Sequence, residues 1–247
     1  MSRKTLGVLG GMGPAATALF LARIVACTQA ATDQEHVDVL TLNHSSLPDR
    51  TQALQLGRTS RNALGRLLCR DALKLELMGA NLLAIPCNTA HSWLDQVRAA
   101  VDIEVLSMVD IAAQELAHVR GTSRAGILAT RGTLATKTYH RALAAMGIEA
   151  VECSEATQRG IDAAIYQGVK RGAANDEAAH ALQAAVRELV ERGCETVVLA
   201  CTELSVLNWM GGPWEQDAQQ HVVDALDLLV RECVVQTGAH FKPFTPT

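Results

Sequence analysis

Cys87 and Cys201 stand where thiol chemistry would be most useful. Each follows a short apolar run, Leu82–Ile85 or Thr196–Leu199, and each precedes polar residues, Asn88-Thr89 or Thr202-Glu203. Two acid/base groups of one kind, one on each face of a substrate, suit inversion of a stereocentre. One removes a proton and the other delivers a proton from the opposite side. A thiol serves best when its pKa is close to the working pH. A helix starting just after each cysteine is expected to lower that pKa, because the thiolate meets the positive end of the helix dipole. Without a cofactor, the carbanion-like transition state needs oriented donors and excluded water. Asn88, Thr89 and Thr202, with the nearby N–H groups, are donors of the right kind.

The other five cysteines, at 27, 69, 153, 194 and 233, carry no such context and read as packing or surface thiols. No Cys-x-x-Cys pair is present, so no metal is expected. Seven irregularly spaced cysteines in 247 residues do not resemble a disulfide framework and fit a reducing cytoplasm. The net charge of -4, with arginines scattered along the chain, offers no basic patch for nucleic acid. No apolar stretch approaches the ~18 residues of a membrane span. The run from Leu6 to Ala22 is broken by Gly10, Gly11, Gly13 and Pro14, so it reads as folded structure and not as a targeting segment.

The elements that must hold the two thiols follow a regular rhythm. Strands are expected at 6–9, 37–42, 82–85 and 104–106, with helices at 15–30, 60–78 and after Thr89 through Trp93 and Val97. Residues 43–50 read as a polar loop. The second half gives strands at 125–128, 148–151 and 196–199. Its helices are expected after Thr133 to about 146, at 156–167, at 176–191 and finally at about 219–235. Strand and helix alternate as in a parallel sheet with helical crossovers.

The two halves also resemble each other. Gly7-Val8-Leu9 opens one and Gly126-Ile127-Leu128 the other; the cysteine follows 80 residues later in the first and 75 in the second. This pattern predicts an α/β protein of two pseudo-symmetric lobes, each a mostly parallel sheet flanked by helices. Residues 1–107 with 214–247 would form one lobe and 108–213 the other. Ligands of parallel sheets bind beyond the carboxyl ends of the strands. The active site is therefore expected in the cleft between the lobes, with one thiol from each.

Several segments together resemble the aspartate/glutamate racemase family, and within it the aspartate racemase branch. They are Gly10-Gly11-Met12-Gly13-Pro14-Ala15-Ala16-Thr17, Pro48-Asp49-Arg50, Cys87-Asn88-Thr89-Ala90-His91, Thr130-Arg131-Gly132-Thr133, Lys170 after Tyr166, and Cys201-Thr202-Glu203-Leu204. The resemblance implies a cofactor-independent, two-base racemase of acidic amino acids, built as two α/β lobes and usually a homodimer. It makes Cys87 and Cys201 the bases, with Cys201 on the side of the L-enantiomer's α-proton. It assigns Asn88, Thr89 and Thr202 to the α-carboxylate or amino group, and Arg50 and Lys170 to carboxylates. Met12, Gln52, Thr130 and Thr133 would line the pocket. Some members carry Thr at the first cysteine position and work effectively in one direction; cysteine at both positions implies reversible racemisation here. Glutamate racemases open with an Asp-Ser-Gly loop and have His after the second Cys-Thr. Here the loop is Gly-Gly-Met-Gly and Glu203 stands in place of that His, which favours aspartate. Ala200 stands where the family commonly has Gly.

Alternatives are a glutamate or broad-specificity racemase, and a hydantoin racemase, maleate isomerase or malonate decarboxylase on the same scaffold. A non-catalytic small-molecule binding module is more distant. Gly11 to Ala16 also fits a loose dinucleotide fingerprint. That fingerprint wants a carboxylate at the end of the second strand, where this chain has Leu42-Asn43-His44. His91 could cap or pack, and Glu203 could be a favourable charge at a helix start.

Overall fold

The computed structural model describes residues 3–173, 175–209 and 220–244. The chain divides into two compact units, residues 1–108 with 226–247, and residues 109–225. In the first, β1 (Leu6–Gly10), β2 (Val39–Asn43), β3 (Leu82–Ala84) and β4 (Glu104–Val105) form a sheet of order β2-β1-β3-β4. In the second, β5 (Arg124–Leu128), β6 (Glu149–Glu152), β7 (Thr196–Leu199) and β8 (Val222–Asp224) form a sheet of order β6-β5-β7-β8. All pairings within the two sheets are parallel. The central strands β1, β3 and β7 are buried at every position. Parallel strands covered on both faces must be apolar throughout, which is why they read as short continuous runs.

The first unit carries α1 (Pro14–Cys27), α2 (Arg50–Gln55), α3 (Arg58–Leu77) and α4 (Leu94–Arg98). Pro14 sits in the first turn of α1, where its missing N–H costs nothing. Next come α5 (Met108–Gln114), α6 (Arg131–Ala135), α7 (Thr138–Ala145), α8 (Glu155–Ala163), α9 (Asp176–Glu191) and α10 (Thr202–Trp209). The last helix, α11 (Ala225–Gln236), returns to the first unit.

The repeat extends to atomic detail. Gly7 of β1 lies under α3: a Cβ there would come within 2.8 Å of the Ala80 Cβ and 3.4 Å of the Leu75 Cβ. Gly126 of β5 lies under α9, where a Cβ would come within 3.0 Å of the Leu189 Cβ. Both helices end on a left-handed glycine, Gly79 or Gly193. The next N–H reaches back to the last turn: Ala80 donates to the Leu75 carbonyl and Cys194 to the Leu189 carbonyl, each at 3.0 Å. This helix stop satisfies carbonyls that would otherwise be stranded. The residue after that then clasps the start of the first strand. Asn81 Oδ1 accepts from the Thr5 N–H, and Glu195 Oε2 accepts from the Arg124 N–H.

Several boundaries differ from the sequence expectation. Residues 219–235 read as one helix, but Val222–Asp224 is strand β8 beside β7, and the helix starts at Ala225. Two adjacent β-branched valines next to a buried strand gain more from the sheet than from another helical turn. This also moves residues 222–225 from the lobe expected to hold 214–247 into the second unit. The helix expected to reach about 146 breaks at Lys137, which adopts a left-handed conformation with φ 53° between α6 and α7. The helix expected over 156–167 widens into a π turn at Ala164–Gly168. After Cys87 comes a 3-10 turn, Thr89–Trp93, before α4. The polar loop stops before Arg50, the first residue of α2, which Asp49 caps by accepting from the Gln52 N–H.

Candidate active site

In each unit the sheet order places the topological switch between its two middle strands, β1 with β3 and β5 with β7. Connections leave in opposite directions there and open a crevice at the carboxyl ends. The turns at those ends carry the candidate residues. Register makes the cysteines equivalent. Leu6 pairs with Leu82 and Ala125 with Thr196, and each cysteine lies five residues beyond its paired position.

In the first unit, Met12 and Cys87 share one buried apolar cluster with Leu9, Leu47 and Ala90. Met12, Arg50, Asn88 and Thr89 are all buried. Helix α2, which begins with Arg50, packs against the Thr89–Trp93 turn. The guanidinium Nη1 of Arg50 donates to the Pro48 carbonyl at 3.3 Å. Gln52, in contrast, is exposed on α2. The glycine loop is shaped by Thr17, whose hydroxyl accepts from the Gly11 N–H and donates to the Gly13 carbonyl. Gly11 has φ +89°, and a Cβ on it would fall 2.4 to 2.6 Å from the His44 backbone. Only glycine lets the two loops approach this closely. His44 in turn bonds through Nδ1 to the fully buried Asp71 at 2.5 Å, which ties the loop leading to Arg50 onto α3.

In the second unit, Cys201, Thr130, Thr133 and Thr202 are buried. Thr130 caps α6 by accepting from the Thr133 N–H at 3.2 Å. Lys170 lies on the 3-10 turn Val169–Arg171, which α10 contacts, and its Nζ stands 4.4 Å from the centre of the Tyr166 ring. Each cysteine turn thus packs against the short element that carries one basic candidate, Arg50 or Lys170.

The Cys201 thiol is not the acidified group expected at a helix start. Burial pushes its pKa well above the ordinary cysteine value. The adjacent Glu203 charge pushes it further, and the Lys170 charge opposes. The Sγ donates to Glu203 Oε2 at 3.1 Å, while the buried Oε1 has no hydrogen-bond partner. Tyr139 is fully buried nearby, and the charges of Asp224 and Cys201 add to burial in holding its hydroxyl protonated. Glu203 and Tyr139 were missed as parts of this environment. A carboxylate two residues after a candidate base was the available signal for Glu203; nothing in the sequence marks Tyr139.

His91 has a defined role beside Cys87. Its Nε2 accepts from the Met108 N–H at 3.0 Å, so the ring proton lies on Nδ1, which donates to the Cys87 carbonyl at 2.9 Å. It pins the cysteine turn to the start of α5.

The family model described as Asp/Glu/Hydantoin racemase matches residues 9–233. The chain belongs to this family. It is an isomerase, an amino-acid racemase. A broad-specificity amino-acid racemase of Bacillus subtilis is 23% identical over 210 residues, which cover 82% of this chain and 86% of that protein. The glutamate racemase of Corynebacterium kroppenstedtii is 30% identical over 135 residues, covering 52% of this chain and 44% of that one. Among solved structures, the aspartate racemase of Picrophilus torridus is 26% identical with TM-score 0.80, covering 97% of this chain and 96% of that one. An aspartate racemase homologue from Pyrococcus horikoshii shares the fold at 21% identity, with TM-score 0.75 and coverage of 95% and 99%. No helix among the described residues is long and apolar enough to cross a membrane.

Proposed function

We propose that this racemase interconverts L- and D-aspartate by a two-base mechanism that needs no cofactor. The observation that carries the proposal is the register equivalence of Cys87 and Cys201 at the carboxyl ends of β3 and β7. Two related thiols at equivalent points of two related sheets suit abstraction from one face of Cα and delivery to the other. Cys201 takes the α-proton of the L-enantiomer and Cys87 that of the D-enantiomer. Asn88, Thr89 and Thr202 hold the α-carboxylate or amino group, and Arg50 and Lys170 hold carboxylates. Met12, Thr130 and Thr133 line the pocket, with Gln52 at its exposed edge.

Aspartate is favoured by the Gly-Gly-Met-Gly loop and by Glu203 in place of the glutamate racemases' His. Likeness to the Picrophilus aspartate racemase over nearly the whole chain supports the same choice. Glutamate is the second reading, supported by the Corynebacterium relative. We also infer a homodimer, which light scattering on the purified protein tests. A cytoplasmic location fits seven reduced thiols.

The test uses chiral chromatography on L- and D-aspartate and glutamate with no added cofactor, together with solvent deuterium incorporation at Cα. Cys87→Ala and Cys201→Ala are each expected to lower racemisation about 10²- to 10⁴-fold, the usual worth of a positioned acid or base, with substrate binding retained. If both variants still exchange the α-proton of both enantiomers, the two-thiol reading is wrong.

A further inference from the structure

The repeat that relates the two cysteines also shows where they differ. By register, Asn88 and Thr89 correspond to Thr202 and Glu203. A carboxylate therefore follows Cys201 at the position where a hydroxyl follows Cys87. The Cys201 Sγ donates to Glu203 Oε2 at 3.1 Å, and both side chains are buried. The second carboxylate oxygen, Oε1, is buried without a hydrogen-bond partner. A buried carboxylate with one oxygen bonded only to a thiol and the other to nothing is far from satisfied.

Accepting the two-thiol reading above, we propose that Glu203 is the proton acceptor that makes the Cys201 thiolate. The Sγ–H bond breaks, its electron pair stays on sulfur, and the proton forms an Oε2–H bond. The thiolate then takes the α-proton: the Cα–H bond breaks, a new S–H bond forms, and the electron pair left on Cα takes the Cys87 thiol proton from the other face. The resulting carboxyl-thiol pair loses one proton to water and the Cys87 thiolate gains one, so the cycle closes with no net proton.

This arrangement answers a difficulty in the site. Burial and the Glu203 charge both raise the Cys201 pKa, so ionisation directly into water would leave little thiolate at neutral pH. A pair that shares one proton behaves differently. Between its two macroscopic titrations, the fraction with the proton on the carboxyl is fixed by the pair and independent of pH. The other groups around the pair are Lys170, whose charge favours the thiolate, and Tyr139, a fully buried neutral phenol that also faces Asp224. Asp224 itself is held by Ser205 and Asn208. At the matching point of the first unit, Thr89 has a hydroxyl, which cannot take a proton from Cys87 in this way.

The test is alkylation of Cys201 by iodoacetamide across the neutral pH range, read by peptide mass mapping in the full protein, with Glu203→Gln as the variant. Gln keeps the size but cannot store a proton. Wild-type labelling should be flat with pH, and the variant should gain about tenfold per pH unit. The pH profile of kcat/KM should change in the same way. It must change equally in both directions, because interconversion of enantiomers has an equilibrium constant of one. Parallel profiles for the two proteins would show that Glu203 is only structural. If the variant does not fold, the wild-type profile decides alone: a tenfold rise per pH unit overturns the proposal. Labelling requires no turnover, so this outcome is separate from loss or retention of racemisation in the two cysteine variants.

Discussion

Gly11→Ala should be among the most costly single-methyl additions to this protein. The residue has φ +89°, and a left-handed conformation costs a residue with a Cβ about 1 kcal/mol. The new methyl would also lie 2.4 Å from the carbonyl carbon of His44, 2.5 Å from its nitrogen and 2.6 Å from its oxygen. These are backbone atoms of a segment anchored by the His44–Asp71 bond, so no rotamer change relieves them. Overpacking of this kind costs about 1–3 kcal/mol, giving a total of roughly 2–4 kcal/mol. Gly57 provides the internal control. It has the same φ of +89°, but nothing lies within 4 Å of where its Cβ would be. Gly57→Ala should therefore cost only the backbone part, which with ψ -168° lies in a region essentially reserved for glycine and is worth about 1–3 kcal/mol. Urea unfolding of both variants, with midpoints and m-values fitted together, measures the difference. If Gly11→Ala is no more destabilising than Gly57→Ala, the close approach of the His44 loop to the glycine turn is wrong.

Gly7→Ala and Gly126→Ala should each destabilise by about 1–3 kcal/mol, by similar amounts, because each presses a helix away from an equivalent strand; thermal unfolding checks this. Asp71→Asn should cost about 1–3 kcal/mol at neutral pH by weakening the charged bond to His44. His44, Lys74 and Arg70 outweigh burial to hold the Asp71 carboxyl below its usual pKa. The stabilisation is therefore complete above the unfolded-state value and fades as pH falls through the lower folded-state value; a pH series of urea midpoints should show variant and wild type converging in acid. His91→Leu removes the acceptor of the Met108 N–H and a donor to the Cys87 carbonyl, so stability should fall by about 1–3 kcal/mol, and racemisation should fall with it.

The parts of the fold that the sequence revealed are those whose local chemistry and final environment agree. β1, β3 and β7 are buried on both faces, so their apolar runs match their surroundings. Gly79 and Gly193 stop α3 and α9 because only glycine takes the left-handed turn cheaply. The misreadings arose where tertiary contacts overrode local pattern. Val222 and Val223 fit a helical period with Leu226, Leu229 and Val230, and only the neighbouring strand β7 makes them sheet. Lys137 has no residue type that announces a left-handed break. The site shows the same division. Both thiols and the basic residues were visible in the order of motifs, but the raised pKa of Cys201 depends on burial, which no motif encodes.

The duplication explains why the two halves can share a framework and still do different work. Four residues after each cysteine, a polar side chain reaches toward the end of the fourth strand: His91 to the Met108 N–H, and Ser205 to the Asp224 carboxylate at 2.7 Å. Extending the β3–β4 register by two residues sets Ser107 opposite Ile85, as Asp224 stands opposite Leu199. The same clasp is thus made with a neutral imidazole in one half and a hydroxyl-carboxylate pair in the other. Acidic side chains collect in the second half, with Glu203 and Asp224 where the first has Thr89 and Ser107. Enantiomers are equal in energy, so the overall reaction favours neither thiol. The substrate, however, is handed: the groups around Cα differ in size and charge on its two faces. Two identical half-sites would treat those faces alike, whereas one half with Glu203 bonded to its thiol and one with Thr89 at the matching position need not, and Glu203→Gln isolates that difference.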